Sequence, residues 1–158
     1  MRRLIYGLLV LFVFLHRPAI AQDLQIERHN HNDWTKGRFS EVVTVSGSGK
    51  WLFLAGVGAE AEKDGSILFI DDFAGQCRFA YQKIAKLLEL NGGSMAHVVK
   101  LVTYVTDIKY RDAMNRCRSE AFAGVGLPVH TFLVISQLAR PGMIVEMDVT
   151  AIVPTRVK

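Results

Sequence analysis

Cysteine is scarce in this chain: Cys77 and Cys117 are the only two among 158 residues, too few for the cross-linked lattice of small secreted scaffolds. Long apolar runs are also missing, since the longest, residues 4–15, is too short to span a bilayer comfortably. The glycines at 47, 49, 56 and 58 end in no Gly-Lys-Thr/Ser and open no helix, so a phosphate loop is excluded. His29-Asn-His31 has no third ligand at a useful spacing, which makes it a solvated turn rather than a metal seed. No cationic stripe carries interleaved aromatic residues, so a nucleic-acid groove is not expected. No repeat and no low-complexity segment is present. No cofactor and no metal are expected.

What is there is one ordinary domain behind a leader. Arg2-Arg3, the apolar run 4–15, then Pro18 and Ala19-Ile-Ala21 follow the basic, hydrophobic, small-residue order of a secretory signal. Cleavage is expected before Gln22, giving a periplasmic or secreted protein with no membrane attachment; an uncleaved anchor is the alternative. The expected division is 1–21 signal peptide, 22–36 polar leader and 37–158 folded domain. The signal takes Arg2, Arg3 and Arg17 with it and no acid. The 19 basic residues therefore fall to 16 against 15 acidic ones, and the net charge falls from +4 to +1. The mature chain is not basic enough to suggest a nucleic-acid partner.

Strands are expected at 42–45, 51–55 and 66–70, the first two forming a hairpin across Ser46-Gly-Ser-Gly49. Asp71-Asp72 opens a helix that Asn91-Gly92-Gly93 stops. A strand at 98–105 follows, then a helix from Asp107 that fades at Gly124. Two closing strands, 131–135 and 143–147, are expected to pair across Arg140-Pro141-Gly142. The order is βββαβαββ, an α+β fold with a single sheet and both helices on one face. Cys77 falls on the stripe Phe73, Cys77, Tyr81, Ile84, Leu88, and Cys117 on Tyr110, Met114, Cys117, Ala121. Both sulfurs point at the core, where a disulfide and two buried thiols remain open alternatives. Two helices cover one side of a sheet only, yet the strands at 98–105 and 131–135 are apolar on both. The bare face therefore predicts an oligomer.

The closing segment carries a signature. Pro128-Val-His-Thr-Phe-Leu-Val-Ile-Ser-Gln-Leu138, a spacer, then Ile144-Val-Glu-Met147 resembles the C-terminal motif of the RidA/YjgF family, small trimeric proteins that include imine and enamine deaminases. Residues 93–108 are similar to the family's central strand, and Leu54-Ala-Gly-Val57 to its Ser-Gly-Gln turn. The likeness covers roughly residues 37–153. It implies a homotrimer in which sheets form a central barrel and small-molecule ligands occupy clefts between subunits.

The resemblance also implies a site. Glu146 matches the glutamate that orients the attacking water, Asn115 an asparagine of the second helix, and Gly56 the turn glycine; Phe39 keeps an aromatic ring at the cavity. Thr131 retains a hydroxyl, and Phe132 replaces a residue that is often cysteine. His130 stands where deaminating members place an arginine that grips the substrate carboxylate. An imidazole offers one donor in place of a permanently charged fork, so the usual 2-imino acids should bind less well. His130 and Glu146 are expected to face one cavity as a proton-transfer pair, with His130 positioning substrate or moving a proton. The implied function is an imine or enamine deaminase of altered specificity. The alternatives are a non-catalytic trimer that binds a small metabolite, and a holdase-like stress protein. Ribonuclease labels attach to some relatives, but nothing in these residues supports that chemistry.

Overall fold

Asp72 stands in extended conformation and its carboxylate accepts the backbone N–H of Gly75 at 2.9 Å, capping the first helix, α1 (Phe73–Leu90). Gly92, at φ +84°, supplies the left-handed turn that ends it. The computed structural model describes residues 22–155, so the expected signal at 1–21 lies outside the described residues. The remaining elements are β1 (Gln25–His29), β2 (Val42–Ser46), β3 (Gly49–Val57), β4 (Val98–Val105), α2 (Arg111–Ala121), β5 (Val129–Val134) and β6 (Val145–Pro154). The order is βββαβαββ and the class α+β, as expected.

Three details differ from the sequence reading. The first strand comes from the supposed leader, because β1 pairs antiparallel with β2 over its whole length. The hairpin expected between 42–45 and 51–55 does not form; β2 pairs with β1, and β3 pairs with β6. Residues 66–70 make a single bridge, Glu60 to Ile67, because left-handed φ at Phe69 (54°) and Asp71 (61°) breaks the extended path.

A larger correction concerns the closing strands. β5 and β6 are not partners: the four-stranded sheet runs β3-β6-β4-β5, with β4 between them, parallel to β5 and antiparallel to β6. The expected turn at 140–142 is thus part of a crossing connection. Gln76, fully buried in α1, holds that connection by donating to the carbonyl of Gly142 at 2.7 Å and accepting the N–H of Ile144 at 3.0 Å. The sheet is mixed, and β1-β2 forms a separate ribbon beside it.

The core lies between the helices and one face of the sheet. Ile84 and Leu88 of α1, Met114 of α2, Leu101 of β4, and Val145 and Met147 of β6 have no exposed surface. Burying each such side chain stabilises the fold by about 1.5–3 kcal/mol. Cys77 and Cys117 are joined as a disulfide that ties α1 to α2. The other face of the sheet is bare. Trp51 and Phe53 of β3 stack on it with ring centroids 6.1 Å apart while 55% and 77% exposed, and Leu133 of β5 is 42% exposed.

Candidate functional site

The segment between β1 and β2 is built as a rigid wall. The Glu41 carboxylate accepts the backbone N–H groups of His31 and Asn32, while Asn30 donates its amide to Thr35 Oγ1 and to the carbonyl of Phe39. Ser40, buried, donates its N–H to the carbonyl of Pro128 and its hydroxyl to that of Leu127, so the wall is fastened to the start of β5. Trp34, Gly37, Arg38 and Phe39 are thereby presented to a cavity of about 370 Å³. The stripe Arg111, Asn115, Arg118 and Ser119 of α2 forms a second wall, and His130 and Phe132 of β5 form the floor. This volume suits a small ligand.

His130 reaches this cavity through strand alternation. In register with Leu101 of β4 it faces the helices, as does Phe132 beside Thr103. A guanidinium can only donate, so the contact of Arg118 Nη1 with His130 Nδ1 makes Nδ1 the acceptor. This assigns the proton to Nε2, which donates to Thr103 Oγ1 at 3.0 Å. Burial first, and the Arg118 charge second, hold the imidazole down at about 3. His130 is therefore neutral with both nitrogens engaged, which fits positioning and leaves no free proton to move. The arginine beside it was not anticipated from the sequence. Its spacing of seven residues from Arg111 on an exposed-looking helix was the available signal.

Glu146 lies elsewhere. It pairs with Tyr104 of β4, one position out of phase with the helix-facing residues, and therefore points to the bare face. Gly56, at the irregularity where β3 shifts register against β6, lies directly beneath it: a Cβ there would sit 2.6 Å from Glu146 Cδ. Burial, then the charges of Glu60 and Asp148, push the Glu146 carboxyl above its ordinary value. Glu60 is held by Lys83 at 2.8 Å and Asp148 by the Tyr104 hydroxyl at 2.9 Å. Among the described residues nothing donates a hydrogen bond to Glu146. Thr131, in register with Val102, also faces away from His130.

The expected residues thus form two groups within one chain. Phe39, Asn115, His130 and Phe132 share the cavity on the helix side. Gly56, Glu146 and Thr131 belong to the bare face. The expectation that His130 and Glu146 face one cavity fails inside a single subunit, because their parities in the sheet are opposite. Among the described residues there is no cluster of three metal-ligating side chains, and no helix is long and apolar enough to cross a membrane.

Comparison with known proteins places this geometry. The family described as Endoribonuclease L-PSP matches residues 31–153. A protein of the conserved Rid family from Yersinia pestis superposes with a TM-score of 0.72 at 22% identity, covering 82% of this chain and 98% of its own. A YjgF/YER057c/UK114 family member from Mycobacterium tuberculosis gives 0.57 at 25% identity over 82% and 100%. RidA from an Antarctic Psychrobacter gives 0.59 at 17% identity over 72% and 93%. The chain belongs to the Rid/YjgF family, the group described as Endoribonuclease L-PSP.

Proposed function

We propose that this chain is an exported, trimeric imine or enamine deaminase of altered specificity, in which the helix-side cavity of one subunit is completed by Glu146 and Gly56 of a neighbour. The observation that carries the reading is Glu146 itself. It is a partly buried carboxylate with a raised pKa and no hydrogen-bond donor among the described residues, set on a bare apolar face. Natural proteins rarely leave such a group and such a face uncovered. Covering the face with another copy supports both features at once.

The chemistry follows from the groups present. Water between Glu146 and the C=N carbon gives a proton to the carboxylate as its oxygen bonds that carbon, and the same proton then passes to the imine nitrogen. The carbinolamine collapses when Glu146 carries the hydroxyl proton to nitrogen. The C–N bond breaks with its electron pair leaving on ammonia, and a carbonyl remains. A carboxyl pushed upward is better matched to both halves of this transfer at neutral pH. His130 and Asn115 orient the substrate, and Phe39 and Phe132 exclude water. Export is supported by the basic, apolar and small-residue order of residues 1–21, and by a disulfide, which persists in oxidising compartments. RNA cleavage is not assigned: His130, neutral with both nitrogens engaged, offers no base to a ribose hydroxyl.

Ammonia release from freshly generated imines tests the reading. Wild type should release ammonia above the spontaneous rate, and Glu146→Gln should lose about 100-fold or more. Equal rates for the two proteins reduce the chain to a metabolite-binding trimer.

A further inference from the structure

The exchange of arginine for histidine at 130 removes the usual grip on a substrate carboxylate from β5, but the cavity holds another cation, Arg118 of α2. Arg118 is 5% exposed, yet no carboxylate among the described residues pairs with it. Its Nη1 donates to His130 and its Nη2 to the carbonyl of Arg38 at 2.8 Å, both neutral acceptors, while its Nε is buried with no partner among the described residues. A guanidinium has five donors, so three N–H groups of this cavity-lining residue have no acceptor among the described residues. Arg38 and Arg111 line the same cavity, and among the described residues no Asp or Glu does. A buried cation without an anion is costly, and two further arginines at its mouth with no acid raise the unbalanced charge to three.

We propose that this cavity binds a small organic dianion, a dicarboxylate with a short carbon chain, with Arg118 as the central anchor and Arg38 and Arg111 taking the second acidic group. The cation used for a carboxylate is delivered from α2 instead of from β5, and His130 is the neutral spacer that holds the guanidinium in place. Guanidinium forks match carboxylates bidentately, and the apolar surface of Phe39 and Phe132 accommodates the carbons between the two charged ends. The inference rests on the helix-side cavity being the substrate cavity of the deaminase, and names the substrate class: an imine carrying two acidic groups.

Calorimetric titration of the full chain at low ionic strength, with succinate, acetate, succinamide and inorganic phosphate as probes, tests it. Succinate should bind about 10-fold or more tighter than acetate or phosphate, and succinamide should give no heat. Arg118→Gln should weaken succinate by about 30-fold or more, and Arg111→Gln by about 3- to 10-fold. Arg111 is exposed, so its variant carries the test if Arg118→Gln does not fold. Succinate binding no tighter than acetate, or phosphate alone binding, overturns the proposal, as does an Arg111→Gln protein with unchanged succinate affinity. Glu146→Gln separates the two readings. Succinate binding without ammonia release sinks the deaminase and leaves the dianion site standing. Ammonia release from a monocarboxylate imine without succinate preference does the opposite.

Discussion

Arg118 Nη1 donates to His130 Nδ1, so a buried cation leans on a ring that must stay neutral to receive it. This fixes the pH response. The imidazole is held at about 3 in the folded chain, against an ordinary value of 6.5. Between those values the unfolded chain binds a proton that the folded chain refuses, so stability falls as pH drops. The contribution is complete above 6.5 and lost on the way down to 3. One proton contributes about 1.4 kcal/mol per pH unit, so wild type should lose about 2 kcal/mol between pH 6.5 and 5 from this group alone. Urea unfolding of wild type and His130→Gln at both pH values measures it; parallel losses in the two proteins contradict the assignment.

Gly56→Ala pushes a methyl into the carboxyl group of Glu146, a side chain that can swing aside. The expected result is a folded protein with displaced chemistry: ammonia release down about 10-fold or more and stability within about 1 kcal/mol of wild type. Ammonia assays paired with thermal melts decide it, and a Gly56→Ala protein of full activity contradicts the placement of Glu146.

The bond between Cys77 and Cys117 closes a separation of 40 residues. On chain-entropy grounds such a loop contributes about 4 kcal/mol. Urea midpoints with and without reductant should differ accordingly, and thiol titration of the unreduced, denatured chain should find no free thiol. Two reactive thiols before reduction rule the bond out.

Gln76→Met keeps the volume but removes both polar partners of the connection into β6. The carbonyl of Gly142 and the N–H of Ile144 are then left without their bonds, a loss of about 2–4 kcal/mol read by urea unfolding. Unchanged stability means that water reaches those groups.

Both helices, the caps of α1 and the closing signature are legible in the sequence because they depend on neighbours in the chain: Asp72 caps Gly75, and Gly92 turns where glycine alone is relaxed. Asp107, expected to open the second helix, instead caps a short 3-10 turn over Ile108–Tyr110, and α2 starts only at Arg111. Strand partners are not legible. An apolar run such as 131–135 states that it is buried but not beside which strand, and β4 lies between the two expected partners. The pocket is half legible. His130 and Thr131 both read as cavity residues although adjacent strand residues point oppositely, a rule that alone separates Thr131 from His130; separating Glu146 also requires the register of β5 and β6 against β4. Arg118 escapes notice because a helical arginine reads as solvated until its neighbours in space are known.

A division of the site between two subunits is tested most directly by mixing inactive chains. Glu146→Gln and Arg118→Gln proteins, each expected to lack ammonia release, are unfolded together and refolded at equal amounts. In a closed symmetric ring about a quarter of the clefts then combine an intact Arg118 from one subunit with an intact Glu146 from its neighbour, so about a quarter of wild-type ammonia release should return. A refolded mixture as inactive as either variant alone contradicts a cleft shared between subunits.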